Sequence, residues 1–249
     1  MILLSGMRTL RRVLSSFLCA VAFVVVMITG VMAEEKAQQP ALVLVHDWFG
    51  DSPFYRDFAN DFESAGYHVT RTDLYNGAEG ATTHAQAWEL LQQLTDEHAA
   101  TAIDQAVASA SDESGRVILI GFSAGAIHAV KAATRNAESV VGTVIFYGDA
   151  ITDTDALAQL GGPVLAIYGS KDGTYGDKSA AETAAEFSMA ADEAGAKAEI
   201  HIYPGAHHAF AQPLFNAGST YDPVAAASAS LLAKEFITRI SADNGKAKE

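Results

Sequence analysis

Gly121-Phe122-Ser123-Ala124-Gly125 is a G-x-S-x-G pentad set between an apolar run, Val117-Ile118-Leu119-Ile120, and a helix-forming one, Ala126-Ile127-His128-Ala129-Val130. The serine therefore falls where a strand turns into a helix. At such a corner the serine occupies a strained turn that pushes its hydroxyl out at the sheet edge, and small flanking residues are needed because strand and helix pass close together. The helix that follows also places its positive dipole end near an oxyanion forming beside the serine. That is the chemistry of acyl transfer through a serine nucleophile. A Gly/Ser turn without chemistry is the plain alternative, and the downstream partners argue against it.

A serine hydroxyl is a weak nucleophile without a base, and the base needs an acid to orient it. In a strand-turn-helix setting these follow the serine in the order acid, then histidine. The run Pro163-Val164-Leu165-Ala166-Ile167-Tyr168 ends in Gly169-Ser170-Lys171-Asp172, which puts Asp172 in a loop at a strand end. Asp149 competes for the same role after Val144-Ile145-Phe146-Tyr147-Gly148, whereas Asp153 and Asp155 read as turn residues. The base belongs in Pro204-Gly205-Ala206-His207-His208-Ala209-Phe210, after the run Glu199–Tyr203.

These residues need a scaffold, and the hydrophobic pattern supplies one. Apolar, β-branched runs recur at Ala41–His46, His68–Thr72, Arg116–Gly121, Val141–Tyr147, Pro163–Gly169 and Ala198–Tyr203. Runs with so little polar alternation suit strands covered on both faces, as in a parallel sheet under helices. Helices are expected over Phe54–Ala65, over Thr83–Ala110 as one long or two shorter segments, and over Ala124–Thr134, Ser179–Ala194 and Pro223–Ile240. In the second of these, Trp88, Leu91, Leu94, Ile103 and Val107 form the expected buried stripe, and Pro223 suits a first helical position. Alternation of this kind predicts an α/β fold with a doubly wound, mostly parallel sheet flanked by helices, whose ligand site lies at the carboxyl ends of the strands.

With these segments placed, the chain resembles the dienelactone hydrolase family of α/β-hydrolases. The resemblance runs from about residue 40 through His46-Asp47-Trp48-Phe49-Gly50, Thr72-Asp73-Leu74-Tyr75, the Ser123 pentad, Tyr168-Gly169-Ser170-Lys171-Asp172 and Tyr203-Pro204-Gly205-Ala206-His207-His208-Ala209-Phe210. It implies that the base is the histidine directly before Ala209-Phe210, which is His208, and that the acid is Asp172. The Ala124 amide, next after the nucleophile, is one oxyanion donor, and the resemblance assigns the other to Trp48 in the loop after the first strand. The side chains of Phe49, Tyr75 and Asp47 are candidates for the substrate pocket, with Asp47 carrying no firm role. No metal or organic cofactor is required by this chemistry, and the eight histidines show no H-E-x-x-H spacing.

Two departures from the family bear on substrate. Its best-known members have cysteine where this chain has Ser123 and glutamate where it has Asp47. Its characterised lactonases hold an anionic substrate with arginines, one after the Asp-Leu-Tyr segment and one shortly after the catalytic histidine. Here no Lys or Arg lies between Asp73 and Gly115 or between His208 and Ala233, and Gln212 stands in the second region. Burying a carboxylate without a cation is costly, so a neutral ester or lactone is expected, unless Lys171 reaches the site. The rivals are an acyltransferase or peptidase using the same triad, and a non-catalytic exported binding protein on the same fold.

Composition sets the outer bounds. With 249 residues, 49% of them hydrophobic, the chain is long enough for one large core, and 30 acidic against 16 basic residues argue against a nucleic-acid partner. Arg8, Arg11 and Arg12 precede an uncharged stretch ending in Val31-Met32-Ala33, the pattern of a secretory signal. Residues 1–33 are thus expected to be a signal peptide or, if uncleaved, a membrane anchor over 13–33, with one domain over 34–249 that ends in a short polar tail. The protein is expected to be exported, periplasmic or secreted. The single cysteine, Cys19, lies inside that leader, so the remaining domain needs no disulfide.

Overall fold

The computed structural model describes residues 39–213 and 215–243. Residues 1–33, expected to be a signal peptide or anchor, and the end of the polar tail lie outside them. Six strands, β1 (Ala41–Val45), β2 (Val69–Arg71), β3 (Val117–Phe122), β4 (Val140–Phe146), β5 (Val164–Gly169) and β6 (Ala198–Tyr203), form one sheet in the order β2-β1-β3-β4-β5-β6. Every neighbouring pair is parallel. The strand order reverses between β1 and β3, so the loops after these two strands diverge and leave a crevice at their carboxyl ends.

The alternation of side chains along each strand divides the core into two layers. Leu42 and Leu44 of β1, Ile118, Ile120 and Phe122 of β3, and Phe146 of β4 face helices α1 (Pro53–Glu63) and α7 (Pro223–Asp243). The opposite parity, Val43, Val45 and Leu119, faces α3 (Asp96–Ser114) and α4 (Ala124–Arg135), and Ile145, Ala166 and Tyr168 face α4 and α6 (Ala180–Ala194). Phe122 and Phe146 stack at 4.7 Å and 11°, locking the end of β3 just before Ser123. Truncating a buried ring of this kind removes about 3–5 kcal/mol of stability.

Of the two forms expected over 83–110, the structure has the two shorter helices, α2 (His84–Gln93) and α3. Leu94 is extended, and Thr95 restarts the chain by accepting from the His98 amide, with Asp96 and Glu97 set favourably in the first turn. Ile103 and Val107 are buried as expected, but Trp88 is 56% exposed. The reason is that α2 does not pack on the sheet; it stands over the crevice, with Ala87 its one buried residue. A short helix α5 (Thr154–Leu157), started by the Asp153 side chain, replaces the plain turn expected there. No helix among the described residues is long and apolar enough to cross a membrane.

Candidate active site

Ser123 closes β3 and opens α4 with φ 50° and ψ −119°, a conformation costly for any residue with a Cβ. The surroundings enforce it. A Cβ on Gly121 would lie 2.7 Å from the Ala126 Cα, and one on Gly125 would lie 2.3 Å from the His46 carbonyl oxygen, so only glycine lets α4 pass this close to β1 and β3.

The loops after β5 and β6 are tied together before either delivers its residue. The Ser170 amide donates to the Tyr203 carbonyl at 2.9 Å, the Lys171 amide to that of Ala206 at 2.8 Å, and the Gly205 amide to the Ser170 hydroxyl at 2.8 Å. This junction sets Asp172 and His208 side by side. His208 Nδ1 lies 2.8 Å from Asp172 Oδ2, and His208 Nε2 lies 2.8 Å from Ser123 Oγ. A carboxylate at Nδ1 keeps the proton there and leaves Nε2 free to accept from the serine hydroxyl.

Asp172 is held by more than the imidazole. Thr174 donates to its Oδ1 from the amide at 3.0 Å and the hydroxyl at 2.7 Å, and the Tyr175 hydroxyl donates to Oδ2 at 3.0 Å. Burial opposes ionisation of this carboxyl, but the hydrogen bonds and charge of His208, with those of Thr174, outweigh it and hold the group below its ordinary pKa.

Ser123 and His208 open onto a cleft of about 540 Å³ whose walls include Trp48, Trp88, Leu91, Ile127, Tyr147 and Phe215. Ala124 also lines it. Neither the Trp48 nor the Ala124 amide donates to an acceptor among the described residues, so both stay available for an oxygen in the cleft. Asp47, Phe49 and Tyr75 do not line this cleft. They stand behind its wall: Phe49 packs its ring 5.3 Å from those of His84 and Phe215, and the Tyr75 hydroxyl donates to the Trp48 carbonyl at 2.9 Å.

Asp47 is 1% exposed and sits in a polar knot of its own. Its Oδ1 accepts from the Phe49 amide at 2.9 Å, and its Oδ2 from Gln212 Nε2 at 2.7 Å. Tyr55 accepts from the Asp47 amide and from Gln212, both at 3.0 Å. Burial raises the Asp47 carboxyl above its ordinary pKa, and the bonds from Gln212, Phe49 and Tyr55 offset only part of that. His46 is also buried and held below its ordinary pKa by burial, with Nδ1 2.6 Å from the Asp47 carbonyl and Nε2 accepting from the Leu74 amide at 3.3 Å. It is a neutral strut for the loop, remote from Ser123 in the bonding pattern.

The sequence model of the dienelactone hydrolase family matches residues 28–241. The chain belongs to the dienelactone hydrolase family. A Salmonella typhimurium protein with the provisional name carboxymethylenebutenolidase is 29% identical over 69% of this chain and 67% of its own. Among solved structures, a provisionally named dienelactone hydrolase from Klebsiella pneumoniae superposes with a TM-score of 0.69, 22% identity and coverage of 82% and 88% of the two chains. A dienelactone hydrolase-like promiscuous phosphotriesterase from metagenomic libraries superposes with a TM-score of 0.71, 18% identity and coverage of 83% and 89%. The protein is a hydrolase acting on ester bonds.

Within the dienelactone hydrolase fold, the two departures seen in the sequence meet. Asp47 and Gln212, 165 positions apart, are directly bonded. Lys171 is exposed and does not line the cleft; Asp149 is exposed and does. His207, next to His208, is exposed. Residues 51–53 and 77–82 border a separate cavity of about 550 Å³, whose lining also includes His46 and Tyr75. Among the described residues no group of three or more His, Cys, Asp or Glu is arranged to hold a metal ion.

Proposed function

We propose that this hydrolase cleaves a carboxylic ester or lactone that carries no negative charge, through a covalent acyl-enzyme on Ser123. The observation that carries the proposal is the unbroken relay of two 2.8 Å contacts from Ser123 Oγ to His208 and from His208 to Asp172. Ser123 Oγ attacks the acyl carbon as His208 Nε2 takes its proton, and Asp172 holds the imidazolium that results. The tetrahedral oxyanion is received by the Trp48 and Ala124 amides; removing one such donor raises the barrier by about 2.7–4 kcal/mol. The bond to the leaving oxygen then breaks and His208 returns the proton to that oxygen. Water attacks the acyl carbon, gives a proton to His208, and the acid departs as Ser123 regains its hydrogen.

A substrate without negative charge is supported by a cleft lining that holds neither lysine nor arginine. An exported location is part of the same reading, supported by the basic, apolar and small-residue pattern over 8–33. The test is steady-state hydrolysis of p-nitrophenyl acetate and butyrate. Ser123→Ala should lower kcat by about 10⁴-fold or more, and hydrolysis unchanged in a folded variant overturns the proposal.

A further inference from the structure

The walls of the cleft are aromatic in an order that encloses the reacting pair. Trp48 packs against His84 at 5.6 Å, His84 against Phe215 at 5.8 Å, Phe215 against His208 at 5.9 Å, and His208 against Tyr147 at 5.4 Å. Trp88, more than half exposed, extends this wall from α2. On a helix that does not pack on the sheet, this large exposed indole is accounted for by its place on the cleft wall.

One carboxylate joins this lining from the solvent side. Asp149, in the loop after β4, is exposed and borders the cleft opposite no basic side chain other than the imidazoles of His84 and His208. Lys178 is the cation whose charge reaches Asp149, and Lys178 is itself paired with Glu186 at 2.5 Å. Asp172, the acid of the relay, adds a second negative charge at the same end of the sheet, within a chain of net charge −14. Aromatic faces attract cations through the ring quadrupole, and a nearby carboxylate adds to that attraction while repelling an anion.

We propose that the cleft selects esters carrying a cationic group, such as a quaternary ammonium, seating that group between the aromatic wall and Asp149. This rests on the reading of Ser123 as the nucleophile. The order of preference is cationic, then neutral, then anionic.

The experiment compares kcat/KM of the full chain for three butyrate esters that differ in charge, those of choline, 3,3-dimethylbutanol and 4-hydroxybutanoate. The cationic ester should exceed the neutral one by about tenfold at low salt, with the ratio shrinking toward one at about 0.5 M salt as the charges are screened. Asp149→Asn should lower that ratio by about fivefold, the scale of one partly solvated charge pair. A ratio that Asp149→Asn and salt leave unchanged, or an anionic ester as the best of the three, overturns the selectivity while leaving the nucleophile in place. Turnover of p-nitrophenyl butyrate that survives Ser123→Ala, or none by the unmodified chain, overturns the reading beneath it.

Discussion

Asp172 and Asp47 are two aspartates buried at the same end of one sheet, and their carboxyl groups are pushed in opposite directions. Each accepts several hydrogen bonds. The difference is the kind of partner. Asp172 is bonded to an imidazole that can take up positive charge, whereas the Asp47 carboxyl is bonded to an amide side chain and a backbone amide, neither of which can. Neutral donors alone do not offset the desolvation of a buried carboxylate, and a partner able to carry charge does. The first aspartate is thus held ionised for work with His208. The second braces a loop: its Oδ1 bond to Phe49 and its amide bond to Tyr55 fix the residues on either side of Trp48.

The widest separation between the two should appear in turnover. Asp172→Asn leaves the shape intact but hands His208 the wrong tautomer, and kcat should fall by about 10⁴-fold. Asp47→Asn keeps the volume and, after rotation of the Gln212 amide, keeps a bond to it, so kcat/KM should fall by only about tenfold through a loosened oxyanion loop. Equal losses in the two variants, read by steady-state kinetics, would break the contrast.

Thr174→Val provides a smaller perturbation on the Asp172 side. It deletes the hydroxyl bond to Oδ1 while the amide bond remains. Losing a hydrogen bond to a charged acceptor removes about 1.5–3 kcal/mol, and a part of that should surface as a drop in kcat of about tenfold, with KM little changed. A KM effect without a kcat effect would move Thr174 from the relay to the substrate.

The smallest effect separates the two aspartates by sign. The Asp172 carboxyl has a folded pKa below its ordinary value, so its stabilisation is complete above the ordinary carboxylate range and is lost as pH falls through the lowered pKa. The Asp47 carboxyl has a raised folded pKa, so its contribution is most favourable at low pH and declines as pH rises through that pKa. Thermal melts of Asp172→Asn and Asp47→Asn against the unmodified chain from about pH 3 to 8 should therefore give Tm differences that slope in opposite directions with pH. Parallel slopes would show that the two environments are alike.

Much of this was legible in the sequence because periodicity and corner chemistry are local. The six strands, the strained turn at Ser123 and the loops carrying Asp172 and His208 all announce themselves within a few residues. The pairing of Asp47 with Gln212 does not, since each stands out alone as a departure from the family and only the fold brings them together. Trp88 misled for a related reason: helical spacing shows that a face is apolar, but not whether a sheet or an open cleft lies beneath it. Tyr75 likewise sits in a segment shared with the family, yet its hydroxyl is spent on the Trp48 carbonyl instead of facing the cleft.

The central claim is that Ser123 is activated by its neighbours. A fluorophosphonate probe applied to the folded chain, followed by peptide mass spectrometry, reads this directly because only an activated serine is phosphonylated at a useful rate. The expected result is an adduct on Ser123 that Asp172→Asn slows and Ser123→Ala abolishes. A folded protein that takes no label, or takes it on another serine, would contradict it.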